Sequence, residues 1–505
     1  MVEIELKFQI EPARRDAVRR AVAGSGARTQ AIRLQARYFD TPDGRLAAAG
    51  LALRLRREGR SRWVQTLKGR GDGLMRRLEH DLVLPPGAPA VLDLARHDGT
   101  AAGAALRAAL GPHAAALVER FATDIRRTRR VVRAKSATGK GAVIELACDE
   151  GWIHATRNDG PQRLAVTELE FELLSGPPQA LLALASRWVQ RHGLWLDVRS
   201  KAERGHALAL GVPGGAALAQ SPLIARRMTP ARGLAAMVQA ALAQALPNLA
   251  VLAETAPAEP EYLHQLRVGL RRLRTALREF GAGVAGVDAA WHATLAQLFS
   301  TLGALRDRDV IEQTLSSPRA AAQRAGLAMS TARAPLRGVA APSARDTAVF
   351  RERRLHRLLL ALIGLTLAGE QAQRGTLLID VARKRLTRLH KMVMADAARF
   401  AELDDAARHV LRKRLKRLRY SLDFVAPLFA AKAVTRYLGL LKPAQEALGD
   451  ANDVALTEAA CLAAGTHKAG DAFVLGWLSA RRDALSAGAA ARLKLLAAAP
   501  RFWKA

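Results

Sequence analysis

A chain of 505 residues, half of them hydrophobic, is too long for one core and too apolar for a disordered protein, so two or three folded domains are expected. A net charge of +32 disfavours cationic partners and favours polyanions such as nucleic acid, polyphosphate or anionic lipid. Two distant cysteines, Cys148 and Cys461, exclude a disulfide framework and a cysteine-based zinc site.

The first element is a strand. Val2, Ile4, Leu6 and Phe8 alternate with Glu3, Glu5 and Lys7, so two carboxylates and an ammonium share one face while the other face is apolar. Such a face can hold a divalent cation beside an anion. No basic-then-apolar leader opens the sequence, and a reducing cytoplasm is expected. Helical patterns follow at 14–23 and 178–192, and alternating strands at 51–57, 77–84, 143–149 and 166–173. Charged residues recur on one face of these strands. They include Arg54 and Arg56, then Lys68, then Arg77 with Glu79 and Asp81, then Glu145 with Asp149, then Glu168 with Glu170 and Glu172. Lys201 stands just beyond the last helical pattern. Enclosing them together requires that acids and bases neutralise one another or bind ions. The expected fold for 1–205 is therefore an antiparallel barrel with a charged lumen, taking a hard cation on its acidic side and phosphate oxygens on its basic side.

The ordered set Glu3-x-Glu5-x-Lys7, Tyr38-Phe39-Asp40-Thr41, Leu53-Arg54-Leu55-Arg56, Thr66-Leu67-Lys68 and Glu168-x-Glu170 resembles the CYTH domains, the triphosphate tunnel metalloenzymes. The resemblance spans residues 1–205. It implies an eight-stranded antiparallel tunnel that binds a triphosphate group with Mg²⁺ or Mn²⁺. It also implies one of the family's activities: inorganic, thiamine or RNA triphosphatase, or class IV adenylyl cyclase. By the same resemblance Glu3, Glu5, Glu168 and Glu170 look like metal ligands, with Glu145 and Asp149 matching more loosely. Lys7, Arg54, Arg56 and Lys68 look like phosphate binders, joined by Arg77, Arg127 and Lys201. Glu3, Glu5 and Lys7 form the expected catalytic wall. Phosphoanhydride hydrolysis asks mainly for positioning and charge neutralisation, which such a set supplies.

Residues 206–225 carry Gly, Pro and small residues and read as a linker. Beyond them, 226–500 reads as all-helical, with 316–346 as a loop or partly disordered insertion. This half contains a repeat. The run from His264 to Phe280 aligns with the run from His409 to Phe424, pairing His264 with His409, Arg267 with Arg412, Arg271 with Lys416 and Arg274 with Arg419. Downstream, Leu302-Gly303-Ala304-Leu305-Arg306-Asp307 is answered by Leu448-Gly449-Asp450-Ala451-Asn452-Asp453, which marks a duplication. In each copy the cations step by three and four along one stripe, about 100° from a leucine stripe. Two such helices packed as pseudo-two-fold partners would line a shared groove that repels itself unless anions fill it.

This arrangement resembles the CHAD domain over residues 226–500, which implies a helical domain binding inorganic polyphosphate. His264, Arg267, Arg271, Arg274, His409, Arg412, Lys416 and Arg419 are the residues expected to bind it. Nucleic acid is disfavoured, because aromatic residues are only 5% of the chain and none punctuates the basic rows. No membrane partner is expected. The sequence thus points to a metal-dependent inorganic triphosphatase with a polyphosphate-binding half. Its alternatives are a polyphosphate-binding adaptor with an idle tunnel, or a nucleotide- or thiamine-triphosphate-acting member.

Overall fold

The computed structural model describes residues 2–24, 29–71, 73–136, 139–211, 214–254, 260–329, 348–370, 376–465 and 468–504. The chain divides into two compact units. One comprises Met1–Ala217, Leu246–Ala256 and Ala348–Gly364; the other comprises Leu218–Ala245, Pro257–Thr347 and Leu365–Ala505.

The first unit is built on antiparallel strands β1 (Val2–Gln9), β2 (Gln30–Asp40), β3 (Leu51–Glu58), β4 (Arg62–Arg70), β5 (Arg76–Val83), β6 (Val118–Lys135), β7 (Gly141–Arg157), β8 (Gly160–Ser175) and β9 (Trp195–Leu196). They pair in the order β5-β4-β3-β2-β6-β7-β8-β1-β9. Val2–Ile4 of β1 also pair with Arg76–Leu78 of β5, so the first eight strands run in one circuit joined by a short ladder. The sheet therefore has nine strands where eight were expected. The extra one is the two-residue β9, which pairs with Phe8 and Gln9 at the far end of β1.

The barrel is apolar outside and charged inside, as the alternation requires. On β3, Leu51, Leu53 and Leu55 are buried outward while Arg54 and Arg56 point to the lumen. Leu51 and Leu53 pack under helices α2 (Arg45–Ala48) and α3 (Ala101–Leu110), where Leu46, Leu106 and Leu110 seal them together with Leu67, while α1 (Arg15–Ala23) lies on β6 and β7 and α4 (Pro178–His192) on β6, β7 and β8. Phe8 and Phe171 meet edge-on at 5.4 Å, and Trp188 of α4 meets Phe171 in turn.

Helix α5 (Lys201–Leu210) closes in on β6, β7 and β8. Ser200 caps it and Glu203 returns the bond, a capping box that fixes where the helix begins. Its Gly205 admits Phe121, because a Cβ there would lie 2.3 Å from the ring. The helix occupies 206–210, the start of the stretch read as a linker; capping and contact with Phe121 outweigh its small-residue composition.

Among the described residues the further α-helices are α6 (Pro230–Glu254), α7 (Pro260–Phe280), α8 (Ala290–Arg324), α9 (Arg353–Glu370), α10 (Leu378–Ala398), α11 (Asp405–Val425), α12 (Ala431–Ala464) and α13 (Ala469–Ala497). Helix α8 runs through 316–324, so that part of the expected insertion is helical despite Pro318. Residues 330–346 of it lie outside the described residues. Among the described helices α6 alone is long and apolar enough to cross a membrane, and 67% of its apolar window is buried. In the second unit the leucine stripes form the core: Leu266, Leu270, Leu273 and Leu277 of α7, and Leu411, Leu415, Leu418 and Leu422 of α11.

Candidate active site and basic helical rows

The strand register brings the charged residues into rows. Glu5, Glu172 and Glu145 stand side by side on β1, β8 and β7. Gln9, Glu168, Asp149 and Arg127 form a second row over β1, β8, β7 and β6. Ala52, Lys68 and Glu79 form a third over β3, β4 and β5. Inside is a cavity of about 200 Å³ lined by Glu3, Glu5, Lys7, Arg54, Arg56, Lys68, Arg127, Glu145, Asp149, Glu170, Glu172 and Lys201, with Tyr38 and Phe121 on its wall. Arg77 stands on β5 opposite Glu3 in register. Glu168 is fully buried and does not line this cavity, whereas Glu172 does. The alternation of Glu168, Glu170 and Glu172 carried that signal.

Two ion clusters divide the interior. In the first, Lys68 Nζ lies 3.2 Å from Glu3 and 2.6 Å from Glu79, whose carboxylate is 3.7 Å from Arg54. Burial, the hydrogen bond with Glu79 and the charge of Glu5 push the Glu3 carboxyl up to about 9, although Lys68 opposes them. Burial opposes ionisation of Glu79 too, but the bond from Glu3 and the cations Lys68 and Arg54 hold it down, so Glu3 keeps the proton.

In the second cluster Asp149, Glu168 and Glu170 offer oxygens all within 4.8 Å of one another. Lys201 Nζ bonds all three, at 2.7 Å from Asp149 and 2.8 Å from Glu170, and Arg127 grips Asp149 through two 2.7 Å bonds while also reaching Glu170. Burial opposes ionisation of Lys201 and Arg127, yet these carboxylates hold both cations well above their ordinary range.

Some cationic donors remain. Lys7 is buried on the cavity wall and makes no ion pair within 4.0 Å among the described residues. The Nε atoms of Arg54 and Arg56 are buried without a hydrogen-bond partner there. The donor set suits a hard divalent cation: it is all carboxylate oxygen, and Glu3 retains a proton that a cation could replace. The Asp149, Glu168 and Glu170 oxygens already surround Lys201, so a cation entering among them would displace that ammonium.

In the second unit the two halves of the repeat meet each other. Arg267 approaches Gly303 and Arg412 approaches Gly449 in the same way, each guanidinium about 3.8 Å from where a Cβ would stand. His409 bonds Asn452 at 2.8 Å, and Arg412 reaches Asp453 at 3.5 Å. The downstream motif is thus the packing partner of the basic row, which explains why both were duplicated. Arg267, Arg271 and Arg274 all stack over Phe299, at 4.7, 5.2 and 5.3 Å. Arg271 also donates to the hydroxyl of Tyr420, whose ring lies 4.4 Å from the Arg419 guanidinium. Rows from the two copies therefore converge at Tyr420. His264 and His409 are exposed, and Lys416 is half-buried. Phe299 and Tyr420 escaped sequence reasoning, because Phe299 lies outside the repeated run and Tyr420, inside it, stands where the first copy has Thr275; aromatics therefore do stand along the basic rows, contrary to the expectation from sequence.

The family model of the CYTH domain matches residues 1–206, and that of the CHAD domain matches residues 236–462. A protein described as an inorganic triphosphatase from Haemophilus influenzae is 32% identical over 178 residues, 34% of this chain and 44% of that protein. The match thus spans less than half of the length of that relative. Among solved structures, the CHAD domain from the plant Ricinus communis is 28% identical, covering 54% of this chain and 95% of that one with a TM-score of 0.43. A Hippeastrum protein described as an adenylyl cyclase candidate with a dominant triphosphatase activity is 17% identical, covering 42% and 96% with a TM-score of 0.27.

Proposed function

Because the chain joins a CYTH domain over residues 1–206 to a CHAD domain over residues 236–462, we propose that it hydrolyses a phosphoanhydride bond of inorganic triphosphate in its tunnel and binds inorganic polyphosphate along its basic helical rows. The observation that carries the reading is the asymmetry of one cavity. Lys7, Arg54, Arg56 and Lys68 contribute cations, while Glu3, Glu5, Glu145 and Glu172 contribute acids. A linear triphosphate suits the first set and a divalent cation the second.

The protein's own contribution is positional. Lys7 and Lys68 are point charges for phosphoryl oxygens, and Arg54 and Arg56 are planar forks that hold neighbouring oxygens in a fixed plane. Together they draw charge off the terminal phosphoryl group and hold its anhydride bond in line for attack by water. Glu3, Glu5, Glu145 and Glu172 would hold Mg²⁺ or Mn²⁺, which neutralises phosphate charge and acidifies water when bound. Asp149 and Glu170 fix Arg127 and Lys201 beside that clamp.

A second reading has one observation in its favour. Lys201 and Arg127 saturate the tightest carboxylate cluster, so the tunnel could be idle and the chain a polyphosphate-binding adaptor. The deciding assay measures phosphate release from inorganic triphosphate with Mg²⁺ or Mn²⁺, beside ATP and thiamine triphosphate. Release fastest from inorganic triphosphate is expected. Silence on all three favours the adaptor, and cyclic nucleotide formed from ATP favours a cyclase.

A further inference from the structure

Glu254 ends helix α6, in the segment Leu246–Ala256 of the first unit. One oxygen accepts from Arg199 at 2.6 Å and the other from Arg204 at 3.0 Å. Arg199 also grips the buried Asp197 through bonds of 3.0 and 2.7 Å. Arg204, itself buried, donates to Glu168 at 3.1 Å and to the carbonyl of Ala165 at 3.0 Å. The other oxygen of Glu168 accepts from Lys201, which stands one helical turn before Arg204 on α5. An unbroken chain of charged bonds therefore runs from Glu254 through Arg204 and Glu168 to Lys201 on the cavity wall.

The donors and acceptors of this chain are unequal. A guanidinium carries five N–H groups and an ammonium three. Asp197 and Glu168 supply four carboxylate oxygens, and Gln9 draws on one oxygen of each, at 3.1 and 3.4 Å. Even with Glu254 present, Arg204 keeps a buried Nε that has no partner among the described residues. Without Glu254, the half-buried Arg199 would keep Asp197 and the carbonyl of Ala250, and the buried Arg204 would keep the carbonyl of Ala165 and turn its surplus donors on Glu168. Glu168 is the one that Lys201 also uses.

We propose that Glu254 is a positioning residue of the tunnel. By holding the surplus donors of Arg199 and Arg204, it leaves Glu168 to hold Lys201 in place. The role of Lys201 in turnover rests on the triphosphatase reading above; its restraint by Glu254 does not.

The test compares the full-length chain with Glu254→Gln and Arg204→Lys. Gln keeps the shape of Glu254 but loses its charge, and Lys cannot bridge two carboxylates through a planar fork. Each protein is pulse-labelled with an amine acylating reagent, and Lys201 is followed by mass spectrometry against the exposed Lys140. An ammonium with one acceptor fewer is less restrained and more open to reagent. Lys201 should be labelled at least about threefold faster in both variants with Lys140 unchanged, and kcat for inorganic triphosphate should fall about tenfold with little change in KM. Lys201 labelling equal to the parent in the variants that fold would overturn the proposal. If the parent itself releases no phosphate, the triphosphatase reading fails while the labelling ratio still decides the role of Glu254.

Discussion

Lys7 is the residue on which the tunnel reading turns, because other lysines of that lumen are already engaged with carboxylates: Lys68 with Glu3 and Glu79, Lys201 with three acids. Lys7→Ala should lower turnover of inorganic triphosphate by about 10²-fold or more, since it removes a preorganised charge at the reacting group. Polyphosphate capture by the same full-length variant should stay as in the parent, and a loss of both together would break the separation of the two sites. A buried histidine makes a different prediction. His356 accepts from the backbone N–H of Leu196 at 3.1 Å and lies 2.8 Å from the carbonyl of Phe350, so the neutral ring satisfies both groups. Burial holds its pKa down to about 4, against the opposing effect of the Phe350 carbonyl. The unfolded chain, with a histidine pKa of about 6.5, binds the extra proton first, so stability falls as pH drops from about 6.5 toward 4. The loss from this group is about 3 kcal/mol at the bottom of that window. Denaturant midpoints at pH 7 and pH 4.5 should separate more in the parent than in His356→Gln, and equal separations would refute the assignment.

At the scale of the element, three helices carry most of the testable content. Helix α5 sits on Phe121, which stacks on Tyr38 at 4.6 Å in the core of the barrel wall. Gly205→Ala should push the helix off that ring at a cost of about 1–3 kcal/mol, read as a lower unfolding temperature. An unchanged midpoint would mean that the ring gives way. Reversing Arg271 and Lys416 to Glu should weaken polyphosphate binding and flatten its salt dependence, because fewer counterions are displaced. An unchanged salt slope would place the binding groove elsewhere. These elements also show what sequence can and cannot reveal. The rows on α7 and α11 were readable because a duplication states the same spacing twice. The strand faces of β1, β3 and β8 were readable because alternation has a period of two and leaves no choice of side. Arg127 came only through resemblance, since the surrounding Ile125–Arg130 run alternates too weakly to mark a lumen face. The second half of helix α5, residues 206–210, reads as linker in sequence because Gly205 looks like a break until Phe121 is seen beneath it. Glu254 carried no signal at all, because its meaning depends on Arg199 and Arg204, about 50 positions earlier.

For the molecule as a whole, the unit that contains the tunnel is discontinuous in sequence. Beside its first 217 residues it includes Leu246–Ala256 and Ala348–Gly364. Those two segments bring Glu254 to Arg199 and Arg204, Arg351 to Glu11 and the Trp195 ring, and His356 to Leu196. Expression of 1–217 alone should therefore yield a less stable product than the same residues in the full chain, with a lower unfolding midpoint or poor solubility; a fragment that melts with the parent would contradict this. The alternation of charge along the strands anticipated the barrel, but no local pattern announces that two later helices complete it. The discontinuity sets a timetable during synthesis. On the ribosome Glu11, just after β1, precedes its partner Arg351 by 340 residues. At about 5–20 residues per second, the nascent barrel stays incomplete for tens of seconds, with Arg199 and Arg204 short of their last acceptor until α6 emerges. A pause in translation between those two points would lengthen the life of that half-made state.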